Sequence, residues 1–318
     1  MVKKIFWVIL CYLFLAMIGI PLFITAVMGG FRQEHIQEAK VLYGLQDYMQ
    51  AEQQEPIPIP EQNALETYVV GVVSAEMPAS FPDEALKAQA VAARTYQIRK
   101  MEEVGSDKVL YDVGQAYADE AAQRKKWGAK YEIYAKKIKD LVSQTEGEIM
   151  VYEGEPILAV FHAQSCGKTE NSENVWVQEI PYLKSVDSYG DLQAPDNTVT
   201  ITKSAKVVKQ ALSCYGDLGV SAETLSFENI VRSNAGYIQQ IQVGKKTLTG
   251  LQVRQALGLR SADFTVTRNG DDFVFTTKGY GHGAGMSQYG AKALADEGMT
   301  YHAILQHYYT GISFDHIA

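Results

Sequence analysis

The chain has few cysteines, no basic run and almost no charge in its first thirty-one positions, and each shortage excludes something. Three cysteines in 318 residues exclude a disulfide-dense secreted fold, so burial must hold the core. Lys3 and Lys4 are the only charges before Arg32, which leaves 27 basic against 37 acidic side chains in residues 32–318, a net −10. A body this acidic lacks the surface that neutralises phosphates, which argues against nucleic acid as a partner. No Lys/Arg cluster forms a polybasic membrane patch. No repeat or low-complexity tract occurs in residues 63–318. What is present is an ordinary globular mix, 47% hydrophobic and 21% charged. The length allows about two domains at roughly 100–200 residues each.

Residues 5–31 are uncharged, and 5–28 are overwhelmingly apolar. About 20 such residues span a bilayer core. A cleaved signal peptide would have about 7–15 apolar residues and a small-residue cleavage site, and this stretch has neither feature. It reads as an uncleaved single-pass anchor, with Pro21 tolerated in a membrane helix and the lysines keeping the N-terminus cytoplasmic. Residues 1–31 are therefore expected to form the cytoplasmic tip and anchor. Residues 32–62 form a juxtamembrane helix and a spacer stiffened by Pro56, Pro58 and Pro60, and 63–318 form the extracytoplasmic domain. A domain outside the cytoplasm meets no ATP or NAD, which leaves the cell envelope as its workplace.

Periodicity predicts helices at 63–76, 81–101, 130–145, 203–213, 287–298 and 301–309. Strands are expected at 148–152 and 156–163. Gly244-Lys245-Lys246 and Asn269-Gly270 each turn a hairpin. Helices and hairpins mix without regular β-α-β alternation, so the expected class is α+β.

The segment 63–99 carries the strongest chemical signal. Leu65, Tyr68, Val69, Val72 and Val73 make one buried stripe. The next stripe position, eleven residues after Leu65 and within about 20° of it, holds Glu76. Burial and the negative end of the helix both raise a carboxyl pKa, which suits a general acid. A boundary glutamate paired with Lys87 or Arg94 fits the same pattern. Pro78 ends the first helix, and the second restarts after Ser80, with Asp83 in the capping-box position. Lys87 and Arg94 lie two turns apart on one face, arranged either to bind a substrate carboxylate or to form structural ion pairs.

Glycine recurs at 279, 281, 283 and 285 around His282. The spacing is wrong for a dinucleotide loop, which leaves a ligand-facing loop or a tight packing turn. His162 and Cys166 are two ligands short of an ordinary zinc site. Cys166 also fits a disulfide with Cys214, or a free thiol.

YVVGVVSAEMPASFPDEALKAQAVAARTY (68–96), HAQSCGKTENSENVW (162–176), LTGLQVRQALGLRSADF (248–264) and GYGHGAGMSQYGAKALADEGMTYHAILQHYYTGI (279–312) together resemble the stage II sporulation protein D family. The resemblance covers about 63–314. It implies a peptidoglycan lytic transglycosylase, which cleaves the bond between N-acetylmuramic acid (MurNAc) and N-acetylglucosamine (GlcNAc) in peptide-stripped glycan strands. The product carries a 1,6-anhydro-MurNAc end. The catalytic glutamate falls in Ala-Glu-Met-Pro at Glu76. The resemblance further implies remodelling of the wall during engulfment, from the mother cell membrane facing the forespore. The implied partners are stage II sporulation proteins P and M. The expected substrate-binding residues are Lys87, Gln89, Arg94, Tyr96, His282, Ser287 and Gln288. No cofactor is required, and a structural zinc at His162 and Cys166 is the one metal to test. A related group implies the alternative of a glycan-binding module that enhances a partner amidase.

Overall fold

The computed structural model describes residues 64–317 except 107, 112 and 177. The expected anchor, juxtamembrane helix and spacer lie outside the described residues. Among those described, no helix is long and apolar enough to cross a membrane.

The N-terminal half runs α1 (Ala64–Glu76), α2 (Asp83–Val104), α3 (Glu120–Trp127), α4 (Tyr131–Gln144), β1 (Glu148–Tyr152), β2 (Glu155–Pro156), β3 (Phe161–His162) and α5 (Ser172–Val175). Next come β4 (Thr198–Ser204), α6 (Ala205–Leu212), β5 (Phe227–Arg232), β6 (Ile238–Val243), β7 (Lys246–Leu248) and α7 (Gly250–Leu257). The chain closes with β8 (Asp263–Asn269), β9 (Asp272–Lys278), β10 (Met286–Ser287), α8 (Gln288–Asp296), α9 (Tyr301–Tyr308) and β11 (Ser313–His316). The class is α+β. Three small antiparallel sheets have the orders β11-β1-β2, β4-β9-β8 and β5-β6-β7, while β3 and β10 pair in parallel.

Two apolar cores form. The first surrounds α2, whose Ala85, Ala88, Ala90, Ala92 and Ala93 are fully buried. Alanine keeps helix propensity high and lets α1, α4, α8, α9 and β1 pack close on several sides. Tyr68, Val69, Val72 and Val73 of α1 lie in this core, as the stripe predicts. The second core gathers Val208, Leu212, Ile241, Val253, Phe264, Phe273 and Phe275 beneath the other two sheets, α6 and α7. Both hairpin turns stand where the sequence puts them. Asn269 faces Asp272 across Gly270, and Val243 faces Lys246 across Gly244, with each glycine at φ near 60°.

The start of α2 corrects one expectation. No side chain caps it: Pro82 is the N-cap, and Asp83 pairs instead with Lys137 on α4 at 3.0 Å. Proline presets the entry dihedral and has no N–H to satisfy.

Close packing decides Gly71. A Cβ there would stand 2.1 Å from the Tyr117 ring, which stacks on Tyr68 with centroids 5.8 Å apart. The Gly71 carbonyl also accepts the Ala118 N–H at 3.1 Å. Gly71→Ala is expected to cost about 1–3 kcal/mol through overpacking. Urea unfolding measures that cost. Faster amide exchange at Ala116 and Ala118 would report the loosened 111–118 segment, and an unchanged midpoint would refute the close fit.

Candidate active site

Glu76 ends α1, half-buried, beside the turn that Pro78 forces. Its Oε1 accepts the Ala116 backbone N–H at 2.7 Å, and Oε2 accepts from Gln288 Nε2 at 3.5 Å. Burial raises its pKa; the Ala116 and Gln288 hydrogen bonds and the Lys126 charge pull in the opposite direction without overcoming burial. The site therefore holds a proton more tightly than an exposed glutamate does. No acidic side chain acts on Glu76 among the described residues.

Two helices position its partners. Lys126, from the last turn of α3, donates to the Ser74 and Ala75 carbonyls at 2.8 and 2.9 Å. It thereby satisfies orphan carbonyls at the α1 C-terminus and brings a cation close to Glu76. Lys126→Met is expected to raise the Glu76 pKa further. Carboxyl-labelled NMR titration checks this directly, and an unmoved or lowered value would refute the coupling.

Gln288 is the first residue of α8, with Ser287 as its N-cap. Ser287 Oγ meets Asp191 Oδ1 at 2.7 Å, and Gln288 Nε2 also donates to Gln89 Oε1 at 3.3 Å. Asp191 is fully buried and accepts from Ser165 N–H and Oγ at 2.9 and 2.6 Å and from Ser188 Oγ at 2.9 Å. Of the sequence-predicted residues, Glu76, Gln89, Ser287 and Gln288 thus converge. The Tyr96 hydroxyl donates elsewhere, to the Val113 carbonyl at 2.8 Å.

The Lys87–Arg94 carboxylate clamp is corrected. Arg94 is fully buried and bidentate to Glu66, at 2.7 and 2.6 Å, and it also donates to the Glu148 carbonyl. Lys87 pairs with Glu84 and lies 5.0 Å from the Tyr301 ring centroid. Both cations hold helix α2 in place and leave no joint binding face.

His282 lies 5.2 Å from Trp176 and 5.6 Å from His162, ring to ring. Its Nδ1 accepts the Ala284 N–H at 3.2 Å. Burial, with His162 and Arg254 nearby, holds its pKa well below the usual value. The surrounding glycines serve packing. A Cβ at 281, 283 or 285 would strike His162, Tyr237 or the Val160 carbonyl, and all three residues have positive φ.

The sequence leaves zinc, a disulfide and free thiols open at Cys166. Cys166 and Cys214 are free thiols. Among the described residues, no group of three or more His, Cys, Asp or Glu side chains is placed to hold a metal. His162 Nδ1 meets the Ala284 carbonyl at 3.1 Å, while Cys166 Sγ donates to the Ala235 carbonyl at 3.0 Å. Burial pushes the Cys166 thiol up to about 12, which opposes the thiolate that zinc requires. These residues do not fit a zinc site.

Sequence reasoning missed Ala116, Lys126 and Asp191. Ala116 contributes only a backbone N–H from an irregular segment, and Asp191 lies in a short 3-10 turn, so neither leaves a periodic trace. The Asp119 cap of α3, accepting from Ala122 N–H at 2.7 Å, was the available signal for Lys126.

A family model described as Stage II sporulation protein matches residues 53–152. Stage II sporulation protein D of Bacillus subtilis (strain 168) is 44% identical over 261 residues, covering 79% of this chain and 74% of the relative. The protein of that name from Bacillus amyloliquefaciens is 40% identical over 259 residues, with the same coverage of 79% and 74%. The amidase enhancer of Bacillus subtilis (strain 168) is 30% identical over 291 residues, covering 76% of this chain and 39% of the relative. With Glu76 in its Ala-Glu-Met-Pro turn and identity extending through most of the described domain, the chain belongs to the stage II sporulation protein D family.

Proposed function

We propose that this chain is a sporulation lytic transglycosylase, cleaving MurNAc–GlcNAc bonds of peptide-stripped glycan strands to 1,6-anhydro-MurNAc products. Family membership supports the sporulation role, and likeness to an amidase enhancer supports work on the cell wall. The observation that carries the chemistry is a single half-buried carboxyl, pKa raised by burial, with no acidic neighbour acting on it among the described residues.

Protonated Glu76 gives its proton to the glycosidic oxygen as the C1–O bond breaks. Positive charge develops on the muramyl ring. The resulting Glu76 carboxylate then takes the proton from the muramyl C6 hydroxyl as O6 bonds to C1. One carboxyl serves both steps and is regenerated. Two-carboxylate glycosidases instead need a second group to attack or to activate water. Ala116 N–H and Gln288 orient the carboxyl, and they stabilise its charged form between the two transfers.

We place residues 1–31 in the membrane as a single span, with the domain facing the wall and proteins P and M of stage II as partners. A second reading, a glycan-binding module that enhances an amidase, draws on the 30% identity to the amidase enhancer.

The test incubates the full chain in detergent with wall sacculi, intact and amidase-stripped, in heavy-oxygen water. Anhydro ends from stripped wall are the expected product. Reducing ends that carry the heavy oxygen would overturn the one-carboxyl mechanism. Binding without cleavage would favour the amidase-enhancing module.

A further inference from the structure

A cleft of about 480 Å³, including the solvent at its mouth, is lined by Glu170, Asn174, Tyr237, Thr249, Arg254 and His282. It opens between α5, α7 and the glycine loop. Its charges are unusual. Arg254 donates Nε to the Arg260 carbonyl at 3.2 Å and has no ion-pair partner among the described residues. Glu170 is 1% exposed and equally without a cation. It accepts from the Asn171 N–H and Asn174 Nδ2 at 2.9 Å each, and from Ser233 Oγ. Opposite charges lining one low-dielectric cavity attract strongly. Here each is tethered by its own hydrogen bonds, and they do not close on each other.

Tyr237 adds an unmet need. Its hydroxyl is buried in the cleft wall without a conventional hydrogen-bond partner; the Cys166 thiol stands beside it, and the Glu170 and Asp191 carboxyls act on it. Burial, with His162 and Arg254 nearby, holds the His282 pKa well below its usual value, and Arg254 is the one Lys or Arg side chain lining the cleft. A ligand that meets these groups carries a carboxylate for the guanidinium and hydroxyl or amide donors for Glu170.

Resting on the reading of the chain as a glycan-strand protein, we propose that this cleft receives a carboxylate-bearing amino sugar, with Arg254 pairing the lactyl carboxylate of a peptide-free muramyl residue. While the stem peptide is attached, that carboxyl is a neutral amide and makes no ion pair. Arg254 is then the residue that distinguishes stripped from unstripped strands, the part that Arg94 is too buried to play. The glycine loop, whose Gly281 and His282 line the cleft, runs on into β10, and the next residue, Gln288, meets Glu76 through its side-chain amide.

The full chain bearing Glu76→Gln is titrated calorimetrically with a peptide-free muramyl-glucosaminyl oligomer, and with the same oligomer after its carboxylates are converted to amides. The free acid is expected to bind about 10–100-fold more tightly. Adding Arg254→Met should abolish that preference, while Arg254→Lys, which keeps the charge but loses the fork, should retain part of it. Thermal unfolding establishes that each variant is folded. A folded Arg254→Met that keeps the preference overturns the proposal. So does a parent that binds both oligomers equally, or neither. If Arg254→Met fails to fold, an undiminished preference in Arg254→Lys overturns it as well. Cleavage by the wild type is measured separately. Cleavage without carboxylate preference refutes this inference alone, whereas an Arg254-dependent preference without cleavage refutes the transglycosylase reading and leaves the cleft standing.

Discussion

Replacing Glu76 by Gln is expected to slow cleavage of stripped wall by about 10²–10⁴-fold, the usual contribution of a general acid/base, with the fold preserved. The amide keeps the shape and still accepts the Ala116 N–H, which the native Oε1 meets at 2.7 Å, but it holds no transferable proton. The same change should stabilise the domain at neutral pH. Glu76 has a folded pKa raised above 4.5, so the folded state favours the protonated carboxyl. That contribution is fully present below about 4.5 and is lost as pH rises through the raised value. Wild type and variant should therefore have similar urea midpoints in acid, with the variant the more stable above the raised pKa. Initial rates of anhydro-product release, set beside urea unfolding at both pH values, check the two halves together. A variant that cleaves at the wild-type rate would remove Glu76 from the chemistry. A variant less stable at neutral pH would contradict its burial as an unfavourable carboxylate.

The second large effect belongs to stability. Glu66→Gln leaves the guanidinium of fully buried Arg94 without its counter-ion. Breaking one side of such a pair costs about 3–5 kcal/mol, or roughly 6–20 °C in melting temperature for a domain of this size. Arg94→Met should also lose stability, because Glu66, 18% exposed, and the Glu148 carbonyl both lose their donor. The double variant Arg94→Met/Glu66→Leu should recover part of the loss, since removing both charges leaves neither one stranded. Differential scanning calorimetry on wild type, Arg94→Met, Glu66→Leu and the double variant closes the cycle and gives the coupling. An Arg94→Met protein that melts with wild type yet no longer binds stripped glycan would restore the clamp that the buried geometry rejects.

The α1 stripe, the alanine-rich α2 and the two hairpins were legible because each is local. A 3.6-residue period, a helix-favouring composition and two glycine turns determine them within a few residues. Glu76 was legible for the same reason: its stripe position places a carboxyl at the end of a buried helix face. The parallel β3–β10 pair and the β11–β1 pairing left no such trace, because their partners are far apart in the sequence and only two to five residues long. Helix α7 was missed although Thr249 and Gln252 form a capping box ahead of it.

The amino-acid sequence by itself determined the family and the helix that carries the acid. Tertiary structure decided which polar side chains serve the site. Lys87 and Arg94 share a helix face, but neighbours decide whether a cation meets solvent or a buried carboxylate, and Glu66 comes from another helix. Lys126, Ala116, Asp191 and Arg254 acquire their roles only when segments far apart in the chain meet. Burial and electrostatic pairing belong to the whole fold, and a local period does not report them.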